Sequence, residues 1–423
     1  MNKKIELIAP AGDLIKMKTA LAHGADAVYL GIPDFSLRVR INNFSLKSLK
    51  EAIDYAHENK KKVYVTVNIF AHNKHIENIP EYLKLINKLQ PDGLIFSDPG
   101  ILNLIRKYCP KINLHLSTQA NCTNYEAVKF WQSQGITRII LGRETTLKEI
   151  GEIHRKCPKM ELEYFVHGAM CMSYSGRCFL SKDFIQRSAN LGDCVQPCRW
   201  EYDVFIKAKG KNEELELVKE EHGSYLLNSK DLCLIKNIPE LIKAGITSFK
   251  IEGRAKSVYY LANVVGIYKQ ALENPKKINF LYKELFNKIT HRGYTTGFLL
   301  GKKGEQNIEN SHFIPNWEFC GQVIRNQSKK EGNKYRNRLI IKVHNTIKAG
   351  DRVEIILPNY DIIKLGLKEM LDLKTKQKIN EAHGGGGGQE IILEILATKI
   401  IPELAVLRRF TIPASFPADR VKF

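Results

Sequence analysis

The chain has no apolar run that approaches the roughly 20 consecutive residues of a membrane-spanning helix. Its start, MNKKIELIAPAG, carries two lysines before an apolar stretch that is too short for a signal peptide. We therefore expect a cytoplasmic protein with no membrane partner. Its nine cysteines are then expected to stay reduced, because cytosolic thiols seldom form disulfides.

Several catalytic signatures are also missing. There is no H-E-x-x-H motif, which argues against a zincin-type protease, and no G-x-S-x-G motif of the serine-hydrolase kind. The first predicted strand is followed by LIAPAGD and not by G-x-G-x-x-G, which disfavours a dinucleotide-binding sheet. The run Gly384–Gly388 lacks a following G-K-[ST] and therefore predicts a flexible loop, not a phosphate loop.

Acidic residues are too few to balance the basic ones. The 65 Lys and Arg residues against 45 Asp and Glu residues give a formal net charge of +20. A surplus of this size favours a polyanionic partner, and nucleic acid is the leading candidate. No compact basic block stands out, however, so lysines spread over solvated faces explain the charge equally well.

Short β-rich runs alternate with amphipathic helical patterns in the first two thirds of the chain. Strand–helix alternation indicates a parallel sheet covered by helices, and eight strands over about 250 residues fit a TIM-like (β/α)8 barrel. The runs are continuously apolar, as expected of strands buried on both faces. The eight predicted strands are Ile5–Ala9, Ala27–Gly31, Lys62–Phe70, Gly93–Ser97, Asn113–Ser117, Arg138–Gly142, Glu161–Val166 and Ser248–Glu252.

The interval between the seventh and eighth strands is longer than the others. It predicts an insertion at about residues 168–235, with a hairpin of Tyr202–Ala208 and Glu214–Lys219. The barrel domain is predicted over residues 1–300, with a Gly-rich boundary near Gly301–Ser311. Residues 312–423 contain short β-rich runs joined by turn residues, and they predict a small C-terminal antiparallel β-barrel.

Five of the nine cysteines fall inside this insertion, a concentration that core packing does not explain. Thiolates are soft ligands that suit zinc, copper(I) or iron–sulfur clusters. We therefore favour a metal centre over buried core thiols or a disulfide framework, and we assign the isolated Cys109, Cys122, Cys157 and Cys320 to the core. The clustered cysteines are Cys171, Cys178, Cys194, Cys198 and Cys233.

The spacing of these cysteines bears on which metal they bind. It reads C-x6-C, a long gap, C-x3-C, and then Cys233. Structural zinc usually takes two short C-x2-4-C pairs, and only Cys194 with Cys198 fits that pattern. An iron–sulfur cluster tolerates scattered thiolates, so spacing alone puts it slightly ahead of zinc.

Polar residues collect at the predicted C-terminal ends of the strands, where barrel enzymes hold their chemistry. From this set His167, Glu252 and Arg143 are the candidate catalytic groups. Cys171 with His167 would also form a thiol-protease dyad, but a nucleophilic cysteine needs one thiol and does not explain five. The full set is Asn68, His72, Ser97, Asp98, Ser117, Gln119, Asn121, Arg143, Glu144, His167, Lys250, Glu252, Arg254 and Lys256.

The segment FKIEGRAKS, at the end of the eighth strand, is a candidate anion site. Lys250, Arg254 and Lys256 supply positive charge there, and an arginine offers a bidentate fork to an oxyanion. Loops after the seventh and eighth strands of such barrels often bind phosphate or carboxylate. An ion pair between Glu252 and Arg254 that stiffens the turn explains the same residues equally well.

Several segments resemble peptidase family U32, the collagenase-like peptidases, over nearly the whole chain. The longest, YFVHGAMCMSYSGRCFLS, carries the C-x6-C signature at Cys171 and Cys178. The others are LIAPAGD, GADAVYLG, LHLSTQANCTN, GDCVQPCRWEY and FKIEGRAKSVYY.

This resemblance implies two kinds of activity. The family name reflects collagen degradation, yet the sequence shows no protease machinery. Other branches are similar to oxygen-independent hydroxylases that act on tRNA, ribosomal RNA or ubiquinone precursors, some with a [4Fe-4S] cluster. Length and the C-terminal β module look most like the branch that converts tRNA wobble uridine to 5-hydroxyuridine with prephenate as co-substrate.

The resemblance also implies ligands and partners. The cluster ligands would be Cys171, Cys178, Cys194 and Cys233, with Cys198 as an alternative to one of them and zinc as the alternative metal. tRNA would be the partner, in agreement with the basic surplus.

Residues of the predicted pocket would also contribute to substrate binding. Arg143, Lys250 and Arg254 would hold the two carboxylates of prephenate. Two rival functions remain: a peptidase acting on collagen-like chains, and a non-enzymatic nucleic-acid-binding protein with structural zinc. The sequence leaves open the electron donor and whether copies form a homo-oligomer.

Overall fold

The structure is a computed structural model that describes residues 5–33, 35–37, 44–200, 202, 205–207, 214–216, 227–302, 304–307 and 310–411. We number its strands and α-helices in chain order. The strands of the first part are β1 (Glu6–Pro10), β2 (Ala27–Leu30), β3 (Lys62–Val67), β4 (Gly93–Phe96), β5 (Asn113–Leu116), β6 (Arg138–Ile140), β7 (Glu161–Gly168), β8 (Phe205–Lys207), β9 (Glu214–Glu216), β10 (Asp231–Cys233), β11 (Ile246–Ile251) and β12 (Tyr294–Thr295). The helices are α1 (Leu14–Ala22), α2 (Leu46–Glu58), α3 (Asn73–Ile76), α4 (Ile79–Leu89), α5 (Pro99–Tyr108), α6 (Tyr125–Ser133), α7 (Leu147–Lys156), α8 (Leu180–Ile185), α9 (Ile238–Lys243), α10 (Val258–Glu273) and α11 (Ile278–Lys288).

Eight parallel strands close into a barrel. Strands β1 to β7 pair in sequence order, and β11 pairs with both β7 and β1, which closes the cylinder. Phe249 of β11 lies beside Tyr164 on one side and Leu7 on the other. The predicted (β/α)8 fold is therefore confirmed. Its strands are apolar and buried, because helices cover the outside and side chains fill the inside.

The helices pack on the barrel through one apolar stripe each. In α4 the buried residues Ile79, Tyr82, Leu83 and Ile86 follow the three-to-four spacing of a single helix face. Polar residues at the strand ends start some of these helices. Asp98, two residues after the end of β4, accepts hydrogen bonds from the backbone N–H groups of Gly100 and Ile101 at the start of α5.

The insertion between β7 and β11 leaves the C-terminal end of the barrel. It contains short 3-10 turns, helix α8, the hairpin of β8 with β9, and strand β10. The hairpin forms where it was predicted, although much of the predicted hairpin lies outside the described residues. Strand β10 was not predicted; it pairs antiparallel with the end of β7, with Cys233 opposite His167.

The C-terminal segment forms an antiparallel sheet with its own apolar core. Its strands run in the order β17-β16-β22-β13-β14-β21-β18-β19, with β15 and β20 as a separate pair. Ile341, Ile355 and Leu407 are among its fully buried residues. The strands are β13 (Trp317–Glu331), β14 (Lys334–Val343), β15 (Ile347–Lys348), β16 (Arg352–Leu357), β17 (Asp361–Gly366), β18 (Met370–Asp372), β19 (Lys378–Ile379), β20 (Glu381–Ala382), β21 (Glu390–Ala397) and β22 (Val406–Phe410). None of the helices in the described ranges is long and apolar enough to cross a bilayer.

Candidate active site and metal centre

A cavity of about 140 Å³ opens at the C-terminal end of the barrel strands. A cavity of this size has room for several waters or for a small organic molecule. It is lined by Tyr29, Leu37, Thr66, Asn68, Ile95, Ser117, Thr118, Gln119, Ile140, Arg143, Phe165, Ala169, Cys171, Met172, Ser173, Gly176, Cys178, Leu180, Ala189, Gly192, Cys194, Cys198, Lys250, Glu252 and Arg254.

Four of the clustered cysteines line this cavity: Cys171, Cys178, Cys194 and Cys198. All four are partly exposed, in contrast to the buried Cys109, Cys122, Cys157 and Cys320. Burial raises the pKa of the Cys198 thiol, and the neighbouring Cys171, Cys194 and Cys178 raise it further, while Arg199 lowers it. The other three thiols therefore lie close enough to Cys198 to influence its ionisation.

Cys233 lies elsewhere. It is buried in β10, its Sγ is 3.9 Å from the Tyr268 hydroxyl, and burial raises the pKa of its thiol to about 11. It does not contribute to the lining of the cavity. The structure therefore groups Cys198, and not Cys233, with the other three thiols.

The thiols line one space without forming a tight cage. Within the part of the chain that the structure describes, no three Cys, His, Asp or Glu side chains stand close enough to hold one metal ion. A tetrahedral zinc site needs four donors around a single ion. In a four-iron cluster each thiolate binds a different iron, so the four sulfur atoms stand further apart than the ligands of a single ion.

The cysteine-rich loop is anchored to neighbouring strand ends. Ser175 is buried with its backbone in the left-handed region at φ 48°. Its N–H donates to Glu144 Oε1 at 2.5 Å, and its hydroxyl contacts Glu144 Oε2 and Asn121 Oδ1, each at 2.9 Å. A non-glycine residue adopts this conformation only when its surroundings impose it. Glu144 and Asn121 therefore fix the path of the chain between Cys171 and Cys178.

Gly168 determines where this loop starts. Its φ is 109°, and a Cβ there would meet the Glu252 carbonyl oxygen at 2.6 Å. Only glycine allows β7 and the end of β11 to approach this closely. Glu252 is consequently placed in the cavity wall beside the first residues of the cysteine-rich loop.

Cationic side chains form another part of the wall. Lys250 lies 2.6 Å from Glu163 Oε1 and 4.3 Å from the Tyr29 ring, and burial lowers the pKa of its ammonium group. Arg143 donates to the Ala169 carbonyl oxygen at 2.8 Å. Arg254 donates to the Ser36 hydroxyl at 2.9 Å.

The wall can therefore bind an anion. Arg143 donates here to a neutral carbonyl oxygen, and this bond does not neutralise its positive charge. Two guanidinium groups facing one space suit carboxylate or phosphate. Lys256, the third predicted anion ligand, does not line the cavity.

His167 is sealed away from the cavity. It is 2% exposed, surrounded by the rings of Tyr260, Tyr268 and Tyr294, and burial lowers its pKa to about 3. Strand β7 extends to Gly168, two residues beyond the predicted end, so His167 lies within the strand and not in the loop after it. His167 is therefore not part of the cavity lining, and its burial favours the neutral imidazole.

Glu163 was not selected from the sequence. It is fully buried and accepts from Arg138 at 3.3 Å and from Lys250 at 2.6 Å. Glu163 could have been selected, because it lies in the middle of the apolar run ELEYFV. A carboxylate buried in such a strand must pair with a cation inside the barrel. Tyr29 could not have been selected as a site residue in the same way, because tyrosine is common in buried strands.

The barrel fold and its thiol-lined rim define an enzyme of the (β/α)8 class with a cysteine-rich centre. The chain belongs to peptidase family U32: the family model "Peptidase family U32" matches residues 12–309, and "Peptidase family U32 C-terminal domain" matches residues 315–408. The resemblance to peptidase family U32 that the sequence motifs indicate is therefore confirmed.

Named relatives fall into two groups. The chain is 38% identical to "tRNA hydroxylation protein P" of Escherichia coli, over 85% of this chain and 87% of that protein. It is also 38% identical to "tRNA hydroxylation protein P1" of Bacillus subtilis, over 85% of each. With "Collagenase" of Porphyromonas gingivalis it shares 32% identity, over 70% of this chain and 74% of that protein.

Proposed function

We propose that the enzyme hydroxylates RNA, that its substrate is the wobble uridine of tRNA, and that the product is 5-hydroxyuridine. The observation that carries this proposal is one cavity lined by four thiols and by Arg143, Lys250 and Arg254. The two relatives with the highest identity given above carry names that refer to tRNA hydroxylation, and the net charge of +20 suits an RNA substrate. The cytoplasm is the corresponding location.

We propose a cysteine-bound [4Fe-4S] cluster as the cofactor. Cys171, Cys178, Cys194 and Cys198 would hold it, with Cys233 as the alternative fourth ligand inferred from the sequence. When bound, a cluster of this kind supplies redox or Lewis-acid chemistry. The chain's own contribution is a partly buried pocket in which the thiolates lie beside guanidinium groups.

Prephenate is the proposed co-substrate. Its two carboxylates require cationic partners, and Arg143 and Arg254 both line the cavity. Lys250 pairs with Glu163 and lies over the Tyr29 ring. Its charge is therefore largely neutralised by Glu163, and we assign it a structural role in the cavity wall. Glu252 is the carboxylate in the same wall that is placed to hold or move a proton.

The peptidase alternative has less geometric support. It would pair Cys171 as nucleophile with His167 as base, but His167 is buried outside the cavity with a pKa of about 3. A thiol nucleophile needs a base within hydrogen-bond reach. If purified protein nevertheless cleaves gelatin, and Cys171→Ala abolishes that cleavage, the peptidase function replaces ours.

Mass spectrometry of tRNA nucleosides from a deletion strain tests the proposal. We expect 5-hydroxyuridine derivatives to disappear and to return with the wild-type gene or with Cys109→Ala, a buried cysteine outside the cavity. Cys171→Ala should not restore them. Metal analysis and the visible spectrum of anaerobically purified protein test the cofactor, and a colourless zinc protein with unchanged tRNA nucleosides would contradict the whole assignment.

A further inference from the structure

Exposed aromatic side chains lie in the cysteine-rich segment that lines part of the cavity, and the chemistry described above does not use them. We call Tyr174, Phe179, Phe184 and Trp200 the aromatic rim; they are 56%, 78%, 47% and 40% exposed. Three of them stand next to the cavity lining in the chain. Tyr174 follows Ser173, Phe179 lies between Cys178 and Leu180, and Trp200 is two residues beyond Cys198.

Such exposure is unusual for large apolar side chains in one place. Met172 and Ile185 of the same segment are also exposed, at 43% and 38%. Contiguous exposed apolar surface generally marks an interaction site, because leaving it in water costs free energy that a partner would recover. The aromatic rim therefore indicates a partner that covers the cavity mouth.

Phe184 packs against two neighbouring rings at an angle, tilted by 53° from Trp200 and edge-to-face at 84° with Tyr202. The Phe184 ring centroid lies 6.4 Å from that of Trp200 and 6.4 Å from that of Tyr202. Rings held by one another lose little further freedom when a planar ligand stacks on them. This arrangement suits a ligand with flat faces.

Positive charges alternate with these rings. Arg177 donates to the Gln119 carbonyl oxygen at 3.0 and 2.7 Å, and Arg199 donates to the Gln196 side-chain oxygen. Both acceptors are neutral, so these hydrogen bonds do not themselves neutralise the two positive charges. Lys182 is also exposed on α8. Aromatic faces with interleaved cations are the pattern of proteins that bind single-stranded nucleic acid.

We propose that the aromatic rim binds a single-stranded RNA loop, with bases that flank the target nucleotide stacked on Phe179 and Trp200. This inference rests on the proposed RNA substrate and adds the surface that presents it. A base paired in a duplex cannot reach a cavity inside a barrel mouth, so the target must be unpaired and turned out of its stack. Loops allow this, because their bases can splay onto aromatic side chains.

Binding of an unmodified anticodon stem-loop RNA to the full-length protein tests the proposal. Phe179→Ala and Trp200→Ala should each raise Kd about tenfold, because one base–aromatic stack is lost. Phe280→Ala is the matched control, since Phe280 is 56% exposed on α11 and lies outside the aromatic rim; its Kd should stay at the wild-type value.

Salt dependence separates stacking from charge. Phe179→Ala should raise Kd by the same factor at every salt concentration. Lys182→Ala should instead lower the slope of log K against log salt by about one. A 2-aminopurine placed in the loop should be quenched by wild-type protein and less quenched by the two rim variants. Circular dichroism of each variant checks that the fold is retained.

The proposal is overturned if both rim variants bind the RNA as tightly as wild type. It is also overturned if they abolish self-association or capture of another protein while RNA affinity is unchanged, because the aromatic rim is then a protein interface. Failure of the hydroxylase function is distinguishable. In that case the deletion strain keeps its tRNA nucleosides, yet the rim variants still lose stem-loop binding.

Discussion

Cys198 and Cys233 have opposite environments, although both belong to the cysteine-rich insertion. Cys198 lies in the 3-10 turn Pro197–Arg199, partly exposed at the cavity, where its thiol is influenced by three other cysteines. Cys233 is 6% exposed, with Tyr268 beside its sulfur. A thiol enclosed by apolar surroundings keeps its proton and behaves as a small core residue, whereas a cluster ligand must ionise.

Replacing each of the two cysteines by alanine should therefore give different results. We expect Cys198→Ala to lose the visible absorbance and iron content of the anaerobically purified protein, because one of four ligands is gone. Cys233→Ala should retain both and lower the free energy of unfolding by about 1 kcal/mol, since it removes one buried atom from the core. Iron analysis, absorbance and urea unfolding measure these effects.

The reverse pattern would return the fourth ligand position to Cys233. Iron loss in Cys233→Ala with iron retained in Cys198→Ala would show that the insertion rearranges around the cluster. Cys109→Ala provides the reference for the loss of a buried thiol that plays no part in the cavity.

At the scale of the element, the sequence predicted the barrel well. Strand β2 begins at Ala27 and β4 at Gly93, as predicted, because continuous apolar runs followed by glycine or by capping residues leave few alternatives. The third strand was predicted too long, to Phe70, and ends at Val67. The positions of the strands can be predicted because a strand that is buried on both faces is a continuous apolar run, which is a pattern of residues close in sequence.

The candidate site was less predictable, and strand β10 shows why. Its antiparallel pairing with β7 extends β7 to Gly168 and places Cys233 opposite His167. Both side chains are thereby removed from the cavity. This pairing joins residues more than 60 positions apart in the chain. Cys233 and His167 were selected from their spacing along the sequence, and spacing does not predict contacts between residues far apart in the chain.

The loop between Cys171 and Cys178 depends on a contact of the same long-range kind. Glu144 accepts two hydrogen bonds from Ser175, whose φ of 48° would otherwise be unfavourable. Groups that orient metal ligands usually change metal affinity by about 10- to 100-fold when removed. Glu144 would thus support the proposed cluster by fixing the loop between two of its proposed ligands, although it is not itself a proposed ligand.

Glu144→Ala should accordingly release the loop. We expect the bound cluster to be lost to a chelator about tenfold faster than in wild type, because the path between the two cysteines is no longer fixed. Hydrogen exchange of residues 171–178 should become faster at the same time. Absorbance decay and exchange mass spectrometry measure the two effects independently.

A second substitution makes this test specific. Glycine tolerates a positive φ, so adding Ser175→Gly to Glu144→Ala should recover part of the cluster retention. Unchanged retention in Glu144→Ala would show that the contact shapes the loop without supporting the cluster.

At the scale of the whole molecule, the C-terminal sheet is joined to the barrel by buried polar groups. Arg408 of β22 is fully buried; it donates to Glu354 of β16 at 2.7 Å and to Asn263 of α10 at 2.7 Å. Lys288 of α11 lies 3.2 Å from Glu354 as well. Buried charges of this kind are costly unless paired, so they favour one relative placement of the sheet and the barrel over others.

His23 forms a second link of this kind, and it is sensitive to pH. It caps α1, is fully buried, and donates from Nε2 to the Leu404 carbonyl oxygen of the C-terminal segment at 3.1 Å. Burial lowers its pKa to about 4, from an ordinary value of 6.5. The folded protein therefore keeps His23 neutral at pH values where the unfolded chain protonates it.

Acid should consequently weaken the folded state through this residue. Between pH 6.5 and 4 the unfolded state binds one more proton at His23, so the free energy of unfolding falls as the pH falls, by about 1.4 kcal/mol per pH unit. Above pH 6.5 the contribution is fully present. His167, with a pKa of about 3, adds a change of the same sign.

The substitution His23→Gln isolates this contribution, because glutamine can still donate to Leu404 but does not titrate. At pH 8 the variant should differ from wild type by a constant amount that reflects packing alone. Between pH 6.5 and 4 its free energy of unfolding should decline less steeply, by about 3 kcal/mol less in total than that of wild type. Urea unfolding at a series of pH values measures both curves. Parallel curves would mean that His23 titrates alike in the folded and unfolded states, and that the contact between α1 and the C-terminal segment opens before the chain unfolds.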